Sequence, residues 1–299
     1  MAKYILGGGI AGLITAFYNP EYTIITDSIG GQMSDTGLGP RILEVNEFSS
    51  ALLDDLGYED LPTKTAKIGY MVWGQYVNEL TDELKLEYYK KSRYLSELKE
   101  PPKSVMSDGK KEIVYYDINW VDLVNRLIIE LKNDPIIGTI HSIDTSHREV
   151  KVDSNIFKYD TLINSLPAPL FFKLSYLEPE QKLTYVPKTF IITESFFNMG
   201  DFDYVYFPGD EVPYHRVTKL NDGKVAVEFT TPQHKDELLE DWPEAIDAKT
   251  IFAGQIQSGN PGHIDNVYYV GRFGCWDHDL KTDDVVLQAK LLNKMGEAN

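Results

Sequence analysis

Cysteine occurs once, at Cys275, so the chain can form neither an intramolecular disulfide nor a cysteine-cluster metal site. Redox chemistry, if there is any, has to come from a bound cofactor, no metal is expected, and a cytoplasmic location is the expectation. Basic residues are scarce as well: 29 Lys+Arg stand against 46 Asp+Glu, a formal net charge of −17. Such a chain repels polyphosphate backbones and anionic lipid surfaces, so neither nucleic acid nor membrane is expected as a partner. No segment reaches the roughly eighteen uncharged apolar residues that a membrane helix needs. The apolar start, Tyr4 to Tyr18, holds four glycines and runs straight into another strand-like segment, which argues against a signal peptide. There is no internal repeat and no low-complexity tract. What remains is 299 residues, 42% of them hydrophobic, enough to bury a core in one large domain or two smaller ones.

The opening residues carry the clearest pattern. Lys3 to Leu6 predicts a buried strand, Gly7 to Gly12 a tight turn, Ile10 to Phe17 a helix and Tyr22 to Thr26 a second strand. Gly7, Gly9 and Gly12 form G-x-G-x-x-G: the first lets the chain turn, the second lets a pyrophosphate approach the backbone, the third lets helix and strand pack closely. Free N–H groups at the helix start, around Ile10 and Ala11, then face the phosphates, where the helix dipole favours negative charge. Asp27, with Ser28 beside it, ends the second strand, where a carboxylate accepts hydrogen bonds from ribose hydroxyls. The alternative is a glycine-rich turn that only packs a helix on a sheet, with Asp27 as a solvated strand end.

Further along, Ser50 to Lys111 mixes helical periodicity with charge runs such as Glu87 to Lys91 and breaks at Pro101-Pro102, which predicts a small helical part. Asn119 is placed to cap a helix whose apolar residues run from Trp120 to Leu131. Ile136 to Ile143, Glu149 to Val152 and Ile156 to Tyr159 read as short strands with turn residues between them, and Thr161 to Ser165 leads into Pro167. Tyr185 to Phe229 is strand-rich, with Asn221-Asp222-Gly223 as a hairpin turn. Val267 to Val270 makes a last buried strand before a terminal helix, Asp284 to Met295.

Gly30-Gly31-Gln32, directly after the acid, resembles the extended FAD fingerprint of the glutathione reductase, amine oxidase and UDP-galactopyranose mutase families. The resemblance implies FAD as cofactor, with Gly31, Gln32 and the following Arg41 near it. The central segments match the return of the chain to the FAD domain in those families, and place the Ile140 backbone at the adenine. Tyr269 to Trp276, followed by a helix from about Asp283, resembles the closing FAD motif. It implies Gly271 and Arg272 at the pyrophosphate or ribityl chain, and the N–H groups of Asp284 and Val285 at the flavin ring. Val212 to Arg216 resembles a Val-Pro-Tyr-Thr-Arg stretch of the mutases whose arginine grips the substrate diphosphate, which implies that Arg216 holds an anionic group. Two features depart from the mutases: Gly39 to Glu44 has no histidine, and Trp276 and His278 stand where the mutases have tyrosines.

The fold class expected is α/β: a discontinuous Rossmann-like FAD domain (1–50, 112–175, 250–299) and a second substrate domain of mixed sheet and helices (51–111, 176–249), with a cleft between them. Arg216, Tyr214, Trp276 and His278 are the candidates for contact with substrate. Each also has a plainer reading: a strand-edge arginine paired with a carboxylate, aromatic core, a hydrogen-bonded surface histidine. Cys275 is read as small buried filling in preference to a flavin attachment point. The leading activity is an FAD-dependent oxidoreductase of the amine oxidase group, taking hydride from a small or medium substrate. A mutase-like sugar-nucleotide isomerase and a non-catalytic flavin-binding protein are the alternatives. A homodimer and an anionic substrate are left open.

Overall fold

The computed structural model describes residues 2–33, 42–96, 111–194, 199–220, 223–231, 233 and 235–297. A five-stranded parallel sheet has the order Val267–Tyr269, Thr161–Asn164, Lys3–Gly9, Thr23–Gly30, Ile136–Ile137. Adjacent residues of a strand point to opposite faces, and here both faces are covered, which is why these strands are apolar without alternation. Ile5, Ile24 and Ile163 face one side and pack with helices Ile10–Tyr18, Trp120–Ile129 and Thr282–Glu297. Leu6, Ile25 and Leu162 face the other side. They pack with helix Ala168–Ser175 and the small sheet of Ile140–Asp144, Glu149–Val152 and Asn155–Lys158. Each such side chain contributes roughly 1.5–3 kcal/mol by leaving water.

The expected strand, helix and second strand form in order, although the second strand runs on to Gly30 so that Asp27 lies within it, and Asn119 does cap its helix: its Oδ1 accepts from the N–H groups of Val121 and Asp122 at 2.9 and 3.3 Å. Helix and strand meet at the glycines. A methyl group on Gly12 would run into the carbonyl oxygen of Gly7, and Gly7 itself has φ +101°, where a side chain is strained.

A second sheet has nine strands. Its order is Ala245–Ser258, Thr184–Thr193, Val225–Thr230, Arg216–Lys219, Tyr204–Tyr206, Thr63–Val72, Glu112–Tyr116, Leu43–Glu44, with Gln75–Val77 paired onto Thr63–Val72. Neighbours are antiparallel except Tyr204–Tyr206 against Thr63–Val72. Asn221 and Asp222 of the expected hairpin turn lie outside the described residues; the strands flanking them pair antiparallel from Lys219 and Val225 onward. Glu112–Tyr116 and residues 250–258 belong to this larger sheet.

The stretch expected to be helical is mixed. Glu47–Asp55 and Asp82–Arg93 are helices, but Thr63–Val72 is a ten-residue strand. Its Ala66, Ile68, Tyr70 and Val72 recur every second residue on the buried side, a strand period carried among lysines and threonines. Trp73 and Gly74, both with positive φ (53° and 74°), close the two-residue turn into Gln75–Val77. The charge run Glu87 to Lys91 is not wholly solvated either. Tyr88 and Tyr89 are buried, and Lys91 Nζ donates to the carbonyls of Val212 and Tyr214.

Candidate functional site

A cleft of about 520 Å³ opens at the carboxyl ends of the parallel strands and runs to the face of the larger sheet. Gly7, Gly9, Ile10, Ala11, Asp27, Ser28 and Gly31 line one wall. Gly271, Arg272, Lys281, Asp283 and Val285 line one end, and Lys188, Phe190, Arg216, Glu228 and Ile251 line the far side.

The near wall is a helix start. Helix Ile10–Tyr18 starts from Gly9 with no side-chain cap and no acid in its first turn, so among the described residues its leading N–H groups meet no side-chain acceptor. Among the described residues nothing lies within 4 Å of the place where a Gly9 side chain would stand. Two residues that motif reading missed hold this turn. Thr26 Oγ1 accepts from Gly8 N at 3.0 Å and donates to the Ser28 carbonyl at 2.7 Å. Ser165 Oγ reaches the carbonyls of Leu6 and Gly7 at 2.8 and 3.1 Å. The available signal for Ser165 was its position at the end of a parallel strand beside the first one, where ligands of such sheets sit. Ser28 Oγ donates to Asp27 Oδ1 at 3.1 Å, which steadies the exposed carboxylate at the cleft edge.

At the end wall, Arg272 Nε donates to the Leu280 carbonyl at 3.0 Å. Burial lowers its pKa, against the pull of Asp279 and Asp277, and among the described residues no carboxylate lies within ion-pair distance of it. Gly271 N donates to Gln288 Oε1, and a side chain on Gly271 would strike Ala11. The terminal helix begins at Thr282. Val285 N bonds back to the Lys281 carbonyl, Asp284 Oδ2 accepts from Lys281 N, and Asp283 Oδ2 accepts from Asn46 Nδ2. Two carboxylates in this first turn stabilise the helix and offset part of the positive potential expected there.

The far wall holds a buried ionic cluster. Arg216 and Glu228 are direct cross-strand partners. Lys188 lies two residues from Phe190, the partner of Glu228 on its other side, within the diagonal reach of a long side chain. Glu228, 2% exposed, accepts through Oε1 from Lys188 Nζ at 2.7 Å and His215 Nε2 at 3.0 Å. Through Oε2 it accepts from Arg216 Nε at 2.9 Å and from Nη2 as well. Burial alone would raise the Glu228 pKa, but Arg216, then Lys188 and His215, hold it well below the usual range. Burial lowers Lys188 against the pull of Glu228, and pushes His215 down to about 4, so His215 is neutral with its Nδ1 buried and unpartnered. The rings of Tyr204 and Tyr206 flank the Arg216 guanidinium at 5.9 Å each.

The other candidates lie elsewhere. Tyr214 is in an aromatic core with Phe207, Phe229 and Trp242 at 4.9–5.9 Å. Trp276 is buried, its Nε1 donating to the Ser258 carbonyl at 3.0 Å. Trp276, Cys275 and His278 border a smaller cavity of about 320 Å³ with Arg93, Asp277 and Asp279. His278 is pushed down to about 2 by burial and then by Lys188, Arg272 and Arg93, with no partner on Nδ1. Ile140 is half-buried opposite Val152 in the small sheet, away from the cleft wall. Gly12 packs beneath the turn, Gln32 lies in the single turn Gly31–Met33, and Arg41 is outside the described residues. Among the described residues no group of three or more His, Cys, Asp or Glu is placed to hold a metal ion, and no helix is long and apolar enough to cross a membrane.

No protein-family model matches the sequence, and no curated protein matches it. Solved structures do match in shape. A reduced UDP-galactopyranose mutase superposes with a TM-score of 0.71 at 13% identity, over 99% of this chain and 95% of that one. A CLA-producing fatty acid isomerase from P. acnes gives 0.67 at 12% identity, over 98% of each chain. Putrescine oxidase bound to putrescine gives 0.64 at 13%, over 100% of this chain and 99% of that one. The fold is that of these matched enzymes. The uncapped helix start at Gly9 lies at the carboxyl end of a parallel sheet, where ligands of open α/β sheets generally sit. Identities this low carry the fold and leave the reaction to be read from the side chains.

Proposed function

We propose that this chain is an FAD-dependent oxidoreductase in which the nine-stranded sheet carries the substrate side of the cleft and the five-stranded sheet the cofactor side. The observation that carries this reading is the bare helix start at Gly9, opening without obstruction into the cleft with Asp27 at its edge. Main-chain amides from Gly9 to Ala11 would take the pyrophosphate, Asp27 the adenosine ribose, and Arg272, whose Nη groups no carboxylate of the described residues occupies, a further anionic or polar group of the cofactor. FAD, when bound, supplies a two-electron acceptor for hydride.

The chain's own residues do the rest. Phe190 and Ile251 exclude water from the inner end of the cleft, and Lys188 with Arg216 fixes the electrostatics there. Neighbours of this fold act on a sugar nucleotide, a fatty acid and a diamine by their names, so the substrate charge is read from this lining. Two cations against one carboxylate disfavour an ammonium group beside Glu228. Arg216 has both Nε and Nη2 committed to Glu228, which weakens the mutase-like reading in which it grips a diphosphate.

The test is the visible spectrum of the purified protein, followed by reconstitution with FAD if it is colourless. Stoichiometric flavin that bleaches under dithionite and recovers with an electron acceptor is expected. Protein that takes up no FAD overturns the proposal.

A further inference from the structure

We infer that Lys188 and Arg216, held on Glu228, form a seat for one carboxylate of the substrate, so that the cleft selects an apolar monocarboxylic acid over an amine, a neutral alcohol or a nucleotide diphosphate. This rests on the oxidoreductase reading for its chemistry, though not for the existence of the seat.

Charge comes first. The other ionic groups along the cleft are balanced, distant from this wall or given above to the cofactor: Lys281 pairs with Glu44 at 2.7 Å, Asp283 accepts from Asn46, Asp27 lies at the phosphate turn, and Arg272, the neighbouring cation without an ion-pair partner among the described residues, is the one assigned to the cofactor. The cluster itself holds two cations, one carboxylate and a neutral histidine, an excess of one positive charge in a nearly dry position. The chain as a whole carries −17, so this excess is local and opposite to the bulk.

The donors left over match one carboxylate. Glu228 uses two of the five N–H donors of Arg216 and one of the three on Lys188. Arg216 keeps its Nη1 group and Lys188 two protons, and both residues line the cleft. A diphosphate would bring two negative charges to an excess of one, and would find the Nε–Nη2 edge of Arg216 already filled by Glu228. Phe190 and Ile251 flank the seat, and Ile42 and Met33 line the same cleft, so the remainder of the ligand meets apolar surface.

Lys188 is faced by Glu228, Arg216, His215, Arg272 and His278. Burial among them lowers its pKa, so a bound anion and its proton support each other. Carboxylate affinity is expected to fall as pH rises through the Lys188 titration, at a pH below that of an ordinary lysine.

The experiment titrates the holoprotein with benzoate, phenylacetate and octanoate, following the flavin spectrum, with benzyl alcohol, benzylamine and UDP as comparisons. At least one acid is expected to bind tenfold or more tighter than its alcohol, and Lys188→Met to weaken the acid tenfold or more while alcohol affinity and flavin occupancy hold. If Glu228→Gln folds, its excess of two positive charges should improve UDP binding. Three results would each overturn the seat: UDP or benzylamine binding in preference to every acid; acid affinity unchanged in Lys188→Met; or Lys188→Met moving only the flavin midpoint potential, which would make the flavin itself the counter-anion. If the protein holds no flavin, calorimetry of the acids against wild type and Lys188→Met decides the seat independently, while the oxidoreductase reading alone falls.

Discussion

Replacing Gly9 by alanine separates what the opening turn does for the fold from what it does for a ligand. Gly9 has φ −74° and ψ 178°, ordinary for alanine, and no atom of the described residues lies within 4 Å of the added methyl. As N-cap residue alanine costs a few tenths of a kcal/mol to about 1. Restricting the unfolded chain returns about 0.4–1 kcal/mol, so the melting temperature of the apoprotein should stay within about 3 °C of wild type. The methyl instead points into the cleft, where the pyrophosphate has to reach the backbone. Losing a single hydrogen bond to a charged group costs about 1.5–3 kcal/mol, or ten- to a hundredfold in Kd. Gly12→Ala is the internal contrast: its methyl meets the Gly7 backbone, so the fold should weaken by roughly 1–3 kcal/mol. The assay is flavin fluorescence quenching on titration with apoprotein, paired with thermal melts. Gly9→Ala with wild-type FAD affinity would refute the phosphate cradle, and an apo melt lowered to the level of Gly12→Ala would show that the turn is structural only.

Glu228→Gln leaves Lys188 and Arg216 buried without their counter-charge, and a stability loss of about 3–5 kcal/mol is expected in urea unfolding; an unchanged midpoint would mean that the cluster is solvated in solution. Stability should also fall in acid. The folded pKa of His215, about 4, lies below its unfolded 6.5, so its contribution is complete above pH 6.5 and is lost as pH falls toward 4, a change of about 3 kcal/mol. His278 acts in the same sense over the same range, while the Glu228 contribution is lost mainly below its unfolded 4.5, so a urea midpoint that stays flat from pH 7 to 4 would contradict both histidines. The Cys275 thiol, pushed up to about 11 by burial, should resist iodoacetamide at pH 8 in the native protein and react on unfolding, with all flavin released by denaturation. Rapid native alkylation, or flavin that stays attached, would place that thiol in the chemistry.

The sequence-legible parts are those whose causes are local. A strand, a glycine turn, a helix start and an acid twenty residues after Gly7 are set by short-range geometry, and so is the Asn119 cap. Thr63–Val72 was hidden because its inward residues alternate with lysine and threonine inside a charged stretch. Its partners, Glu112–Tyr116 and Tyr204–Tyr206, are also remote in the chain. The Glu228 cluster depends on register across three strands, with Lys188 forty residues away. One trace was available: Val225–Thr230 is buried at every position, and Glu228 is its single charge, an arrangement that demands partners. Tyr214 and Arg216 sat together in one motif, but the strand begins only at Arg216, so strand periodicity does not link their directions: Arg216 lines the cleft, while Tyr214 packs into the core.

Buried ion pairs add little to stability compared with apolar packing, and a second cation on one carboxylate adds desolvation without full compensation. Lys188 is therefore poorly explained by folding alone: Arg216 and His215 already satisfy Glu228. If its place is due to ligand binding, removing it should move stability and affinity in opposite directions. Ligand-free Lys188→Met is expected to melt at or above the wild-type temperature, by about 2–4 °C if 1 kcal/mol of desolvation is relieved. A saturating acid at a hundredfold above Kd should stabilise wild type by about 2.7 kcal/mol and the variant far less. Differential scanning calorimetry with and without ligand reads both effects at once. A ligand-free variant that melts several degrees lower would make Lys188 a structural partner of Glu228, and the excess charge of the cluster would then lose its link to substrate.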